Sequence, residues 1–199
     1  MTANTQKRMN NLTEEASSLF ARLSPGDLML LGARPRHGKT QLGLGLAVEA
    51  MKAGQQGAFF TLECSAADVI DLFKSVGEDV AEFSNLFKFD ASDKINAEYI
   101  MAELSEMPAG TMVVIDYLQL LDQKRENQDL TTQISELKSF AAKRGLIMVF
   151  LSQIERSYVP TAGVCPSLAD VRLPNPLDLT LFNKACFLSD NEIHFSAWN

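Results

Sequence analysis

No uninterrupted apolar run in this 199-residue chain is longer than Leu146 to Leu151, and a helix that crosses a bilayer needs about 20 such residues. A membrane-spanning protein is therefore not expected. The opening stretch, Met1 to Glu15, is polar and lacks the apolar segment of a secretory signal. Cysteine is scarce: Cys64, Cys165 and Cys186 are too few and too widely spaced for a disulfide framework or a zinc site. The expected setting is the reducing cytoplasm. An overall basic field is missing too, since 18 Lys and Arg against 25 Asp and Glu leave a net charge of −7. Any contact with nucleic acid must then be local. What the chain does have is 46% hydrophobic residues at the length of one domain, enough to bury a substantial core.

Residues 1 to 10 read as a loose polar leader. Asn11 can cap a helix with Glu14 as capping-box partner, and Leu12, Ala16, Leu19, Phe20 and Leu23 form its apolar stripe. This helix would lie on the domain or on a neighbouring subunit, and Ser24-Pro25-Gly26-Asp27 would end it. Leu28 to Leu31 is a short apolar strand leading through a loop into a helix at about 40 to 53. Alternation continues with strands at 57 to 62, 86 to 90, 112 to 116 and 146 to 152, and helices at about 65 to 76, 97 to 106 and 130 to 144. Strands separated by helices of this length indicate an α/β fold with a central parallel sheet covered on both faces. Tyr158 to Pro176 reads as a long loop, and 184 to 188 with 192 to 198 as a closing strand pair. Phe73, Phe83, Phe87 and Phe89 are expected in the core rather than as a base-stacking platform. The division this suggests is 1–23, leader and amphipathic helix, and 24–199, the α/β domain.

Four strand ends carry chemistry. Ala33-Arg34-Pro35-Arg36-His37-Gly38-Lys39-Thr40, followed by Gln41, is a phosphate-binding loop with Ala in place of the first Gly. Backbone N–H groups and the following helix N-terminus can surround a β-phosphate there, Lys39 can span the β- and γ-phosphates, and Thr40 can ligate Mg²⁺. His37 occupies a variable position that ordinarily supplies only backbone. Asp116 ends the run Val113-Val114-Ile115, where a carboxylate faces the phosphate loop and holds the magnesium shell. Glu63 ends the strand after the first loop and its helix. It can act on the attacking water or stabilise the start of the next helix, and spacing alone leaves both open. Gln153 ends a fourth strand, where an amide can sense a γ-phosphate or simply lie on the surface.

Together these stretches resemble the ATPase domain of DnaB-type replicative DNA helicases, a RecA-like group of P-loop ATPases. Gly32 to Thr40 looks like that family's phosphate loop. Leu62-Glu63-Cys64-Ser65 is similar to its "LEMS" segment, Val114 to Leu120 to its "VIDYLQL" block, and Leu151 to Ser157 to its "LSQLNRS". Order and spacing agree from about residue 24 to 157. The resemblance implies a RecA-like fold, ATP and Mg²⁺ as ligands, Glu63 as catalytic base and Gln153 as γ-phosphate sensor. It also implies a ring of subunits, single-stranded DNA against the loops after Leu121 and Gln153, replication proteins as partners, and residues 12 to 23 as the counterpart of a linker helix.

Departures accompany the matches. Asp170-Val171-Arg172 keeps the start of the family's "DLRESG" segment, but Leu173-Pro174-Asn175-Pro176 does not continue it. The family's "K-x-R-N-G" element, whose cations reach a neighbouring γ-phosphate, corresponds to Glu192 to Asn199, which contains no Lys or Arg. Slow unassisted turnover is the expectation, since such a finger is worth about 10³ to 10⁵ in rate. No counterpart of the family's N-terminal helical domain is expected within this chain. Residues 122 to 129 carry two basic and three acidic side chains, a poor track for a nucleic-acid backbone. Lys124, Arg125, Arg156 and Arg172 are the candidates for DNA contact, against a reading as solvated surface charge. A second functional reading is a regulatory or adaptor protein that kept the ATP pocket without motor function.

Overall fold

The computed structural model describes residues 3–116, 118, 121, 127–159, 165–173, 175–189 and 192–198. Its strands are β1 (Leu28–Ala33), β2 (Gly57–Thr61), β3 (Phe87–Asp90), β4 (Met112–Asp116), β5 (Ile147–Gln153), β6 (Lys184–Ser189) and β7 (Glu192–Ala197). Its α-helices are α1 (Ala3–Phe20), α2 (Lys39–Lys52), α3 (Ala66–Ser75), α4 (Ala97–Glu103) and α5 (Leu130–Arg144). The strands form one sheet in the order β3-β2-β4-β5-β1-β6-β7. All neighbours are parallel except β6 and β7, the expected closing pair, which is antiparallel.

Both faces of the central strands are covered, which is why these segments read as unbroken apolar runs rather than alternating ones. Met29, Leu31, Met112 and Val114 enter the core under α1, α2 and α3. Leu28, Leu30, Val113 and Ile115 enter the opposite core, under α4 and α5. The phenylalanines are core as expected. Phe73 and Phe83 are buried, Phe87 and Phe89 pack against the same cluster, and the Phe73 and Phe87 rings meet edge to face at 4.9 Å.

The first helix departs from expectation. It starts at Ala3, so the residues read as a loose leader are helical, and Asn11 lies inside the helix rather than at its cap. The stretch contains Gln6, Lys7, Arg8 and Met9, all good helix formers, so the helix begins well before its apolar stripe does. Leu12, Ala16 and Leu19 are buried in the core shared with α2, so this helix packs on its own chain. The contact is close: a Cβ added at Gly45 would lie 2.9 Å from Ala16 Cβ. Gly45→Val is therefore expected to overpack the seam and lower stability by about 1–3 kcal/mol, read as an earlier urea midpoint.

The residues after the helix are pinned from across the sheet. Asp27 accepts from the Ser24 backbone N–H at 2.6 Å and from Asn183 Nδ2 at 2.8 Å, and it pairs with Lys184 Nζ at 2.5 Å. The long tail loop also contains more order than its composition suggested. Leu168–Asp170 forms a 3-10 turn capped by Ser167, and Ile154 bridges to Val171.

Candidate functional site

The carboxyl ends of β1, β2, β4 and β5 lie side by side; Ala33, Asp116 and Gln153 end three of them, while β2 ends at Thr61 and Glu63, expected at its end, lies two residues beyond. Register places Thr61 beside Asp116, Asp116 beside Leu151, and Ala33 beside Gln153. Ala33 closes β1 with extended backbone and is buried, so a Cβ is accommodated where a glycine is more usual. After it the chain turns. Arg36 has φ +67° and Gly38 has φ +90°, the left-handed region where a side chain costs about 1–2 kcal/mol and glycine costs little. His37 N–H donates to the Arg34 carbonyl at 3.2 Å, closing the turn. Arg34 and His37 are half-buried, while Pro35 and Arg36 are exposed. Gly38 then caps α2 without a side-chain hydrogen bond, leaving the first helical N–H groups as donors for an anion.

Lys39 and Asp116 form the electrostatic centre. Lys39 Nζ lies 2.7 Å from Asp116 Oδ1, and Thr40 Oγ1 donates to Asp116 Oδ2 at 2.8 Å. Asp116 is fully buried and Lys39 nearly so. A buried carboxylate is stable there because both of its oxygens are partnered. Gln41 Nε2 donates to Ser75 Oγ at 3.0 Å, and that hydroxyl donates to the Leu72 carbonyl at 2.7 Å. Gln41 thus ties the first turn of α2 to the end of α3. Sequence reasoning missed Ser75, a serine at a helix end with no motif around it.

Glu63 follows β2, its backbone N–H donating to Thr61 Oγ1 at 2.9 Å. Its carboxyl is pushed above the ordinary carboxylate range, first by partial burial and then by the negative charge of Asp116, with Lys39 opposing. Asp116 and Lys39 are close enough to be felt at Glu63. The hydrogen bonds that cap α3 are made by Ser65 and Asp68, which form a complete capping box. The Cys64 thiol beside Glu63 is pushed up, mainly by burial and by Asp116, which disfavours its thiolate form.

Gln153 is half-buried at the end of β5. Its carbonyl accepts from the Arg172 N–H at 2.8 Å, and Glu155 N–H donates to the Asp170 carbonyl at 2.8 Å. The segment 170–172 is thereby attached directly to the candidate sensor strand. Arg156 and Arg172 are exposed beyond it. Lys124 and Arg125 lie outside the described residues. Among the described residues no group of three or more His, Cys, Asp or Glu is placed to hold a metal ion. The hydroxyl and carboxylate of Thr40 and Asp116 are a hard-oxygen pair of the kind that holds magnesium together with phosphate and water.

The family model for the DnaB-like helicase C terminal domain matches residues 70–175, which include Asp116, Gln153 and Arg172. The chain belongs to this family. The matched span starts after the phosphate loop and Glu63, so the case for those residues rests on their own pattern and geometry. Replicative DNA helicase DnaB of Helicobacter pylori (strain J99 / ATCC 700824) is 26% identical over 192 residues, covering 79% of this chain and 40% of that protein. A probable plasmid replicative DNA helicase of Chlamydia trachomatis serovar L2 is 27% identical over 181 residues, covering 75% and 40%. The chain spans about 40% of the length of these curated relatives. Among solved structures, a DnaB-like replicative helicase studied with primase superimposes with a TM-score of 0.66 at 22% identity, covering 82% of this chain and 47% of that one. A second solved structure, of an ATPase domain, gives 0.65 at 21%, covering 83% and 70%. These likenesses establish the RecA-like α/β fold of the family's ATPase domain. No helix among the described residues is long and apolar enough to cross a membrane.

Proposed function

We propose that the chain binds ATP with Mg²⁺, hydrolyses it, and couples hydrolysis to single-stranded DNA in replication, working in a ring of copies or with other replication proteins. The observation that carries this reading is the convergence of Lys39 and Thr40 on the two oxygens of Asp116 at 2.7 and 2.8 Å, at the N-terminus of α2. Lys39 exchanges Asp116 for the β- and γ-phosphates when nucleotide enters. The backbone N–H groups of Gly38, Lys39, Thr40 and Gln41, at the turn and the start of α2, hold the β-phosphate. Thr40 and Asp116 would hold the metal, which when bound would neutralise charge on the phosphate oxygens. Glu63 accepts a proton from water as its oxygen bonds to the γ-phosphorus and the bond to the bridging oxygen breaks, releasing ADP. The Gln153 amide donates to the γ-phosphate, and loss of that bond reaches segment 170–172 through the strand end.

The family's relatives that are named replicative helicases support the DNA half of this reading. Arg156 and Arg172, with Lys124 and Arg125, are the proposed contacts to the DNA backbone. The test is ATP turnover of the wild-type chain with and without single-stranded DNA across a salt series. Stimulation that weakens as salt rises is expected, because phosphate contacts release counterions. ATP binding with turnover indifferent to DNA overturns the DNA reading in favour of a nucleotide-bound regulatory protein.

A further inference from the structure

Gln133 is a buried polar residue on an apolar surface. It lies in the first turn of α5, between Leu130 and Ile134 on the stripe that continues to Leu137, and it is 2% exposed. A leucine would fill this position at no desolvation cost. Instead the glutamine amide is spread over three backbone groups. Nε2 donates to the Leu121 carbonyl at 2.7 Å and to the Gln128 carbonyl at 2.8 Å, and Oε1 accepts from the Ala97 N–H at 3.0 Å. Asn127 Nδ2 adds a bond to the Leu121 carbonyl at 3.2 Å, and Asn96 Nδ2 reaches Asn127 Oδ1 at 3.4 Å. Ala97 is the first residue of α4, so its N–H has no partner within that helix.

One side chain therefore joins three places in the chain: the start of α4 and the two ends of segment 121–128. That segment follows β4 closely, with Leu118 and Leu121 buried on the way from Asp116, and Lys124 and Arg125 lie between its ends in sequence. We propose that Gln133 is a positioning residue for DNA-stimulated ATP turnover, holding the Leu121 and Gln128 carbonyls against the start of α4. This inference rests on the proposed function above. A cavity of about 350 Å³ beside the clamp is lined by Asn96, Glu98, Met101, Asn127, Gln128 and Gln133. Water entering it can satisfy the freed backbone groups when the amide is removed, so the clamp can be cut without unfolding the domain.

The test uses Gln133→Leu, which removes all three bonds, and Gln133→Glu, which keeps an acceptor for Ala97 and loses both donors. Ile100→Val, a buried change in the same layer, serves as a control for general loosening. In both Gln133 variants the DNA-stimulated increment in kcat is expected to fall about tenfold, the worth of one to two hydrogen bonds. Basal kcat and KM for ATP stay within about twofold, as for a site apart from the chemistry. The Ile100→Val control retains wild-type stimulation. Amide hydrogen exchange of Ala97 rises in Gln133→Leu and stays at the wild-type rate in Gln133→Glu. Unchanged exchange at Ala97 in Gln133→Leu overturns the clamp itself, whether or not DNA is bound. Altered exchange with undiminished stimulation, or equal loss in Ile100→Val, overturns its role in positioning. A wild-type chain that ignores DNA while the exchange result holds overturns the proposed function and the clamp's role in it.

Discussion

Glu63→Gln is expected to lower kcat for ATP hydrolysis by about 10² to 10⁴, the usual contribution of a positioned general base, while ATP binding survives. The amide preserves size and the Thr61 contact, which is made by the Glu63 backbone N–H. What it lacks is a lone pair basic enough to take the water proton. The same residue sets the pH dependence. Its carboxyl must be ionised to act, and burial together with Asp116 raises its pKa. Activity is therefore present above that raised pKa and is lost as pH falls through it, so the acid limb of kcat/KM lies above the ordinary carboxylate range. Glu63→Gln removes this limb from whatever residual rate remains. A variant as active as wild type, or one with an unchanged acid limb, assigns the base elsewhere.

Lys39→Ala is expected to abolish both ATP binding and turnover, with a loss of at least about 10² in kcat/KM for a charge aimed at the transferred phosphoryl group. Stability moves as well. Lys39 and Asp116 form a buried pair at 2.7 Å, and removing one member of such a pair costs about 3–5 kcal/mol when the other is left without compensation. Thr40 still donates to Asp116 Oδ2, so the cost should fall at or below the low end of that range. Urea unfolding of Lys39→Ala beside Thr40→Ala measures it. A Lys39→Ala chain that binds ATP normally would remove the phosphate loop from the site.

Most of the sheet was legible because parallel strands buried on both faces must be short and apolar. Leu28 to Leu31, Met112 to Asp116 and Ile147 to Ser152 carry that pattern in the sequence. The candidate site was legible for a related reason. Asp116 and Gln153 end strands, Glu63 follows β2 and Lys39 opens the helix after β1, and a parallel sheet brings its carboxyl ends to one edge. Less legible were features set by long-range packing. The start of α1 was misplaced because its first turns carry no apolar stripe, and its seat on α2 depends on the small pair Ala16 and Gly45. Segment 165–173 looked like plain loop, yet two backbone bonds to the end of β5 give it order. Gln133 and Ser75 had no motif to announce them. Their meaning lies in the carbonyls and amides that folding brings to them, although a glutamine on the Leu130, Ile134, Leu137 stripe is itself a local inconsistency of the kind that marks function.

The cation distribution also bears on mechanism. Arg156 and Arg172 are exposed beyond β5, on a chain whose net charge is −7. Any affinity for DNA would come from a few local contacts, weak and strongly salt-dependent for a single copy. A ring of copies would multiply those contacts by raising effective concentration.

The most direct measurement is release of inorganic phosphate when excess wild-type chain is mixed with ATP and Mg²⁺, followed to completion. Full conversion of bound ATP to ADP and phosphate, abolished by chelating the metal, is the expected result. Recovery of intact ATP from a stable complex would contradict hydrolysis at this site.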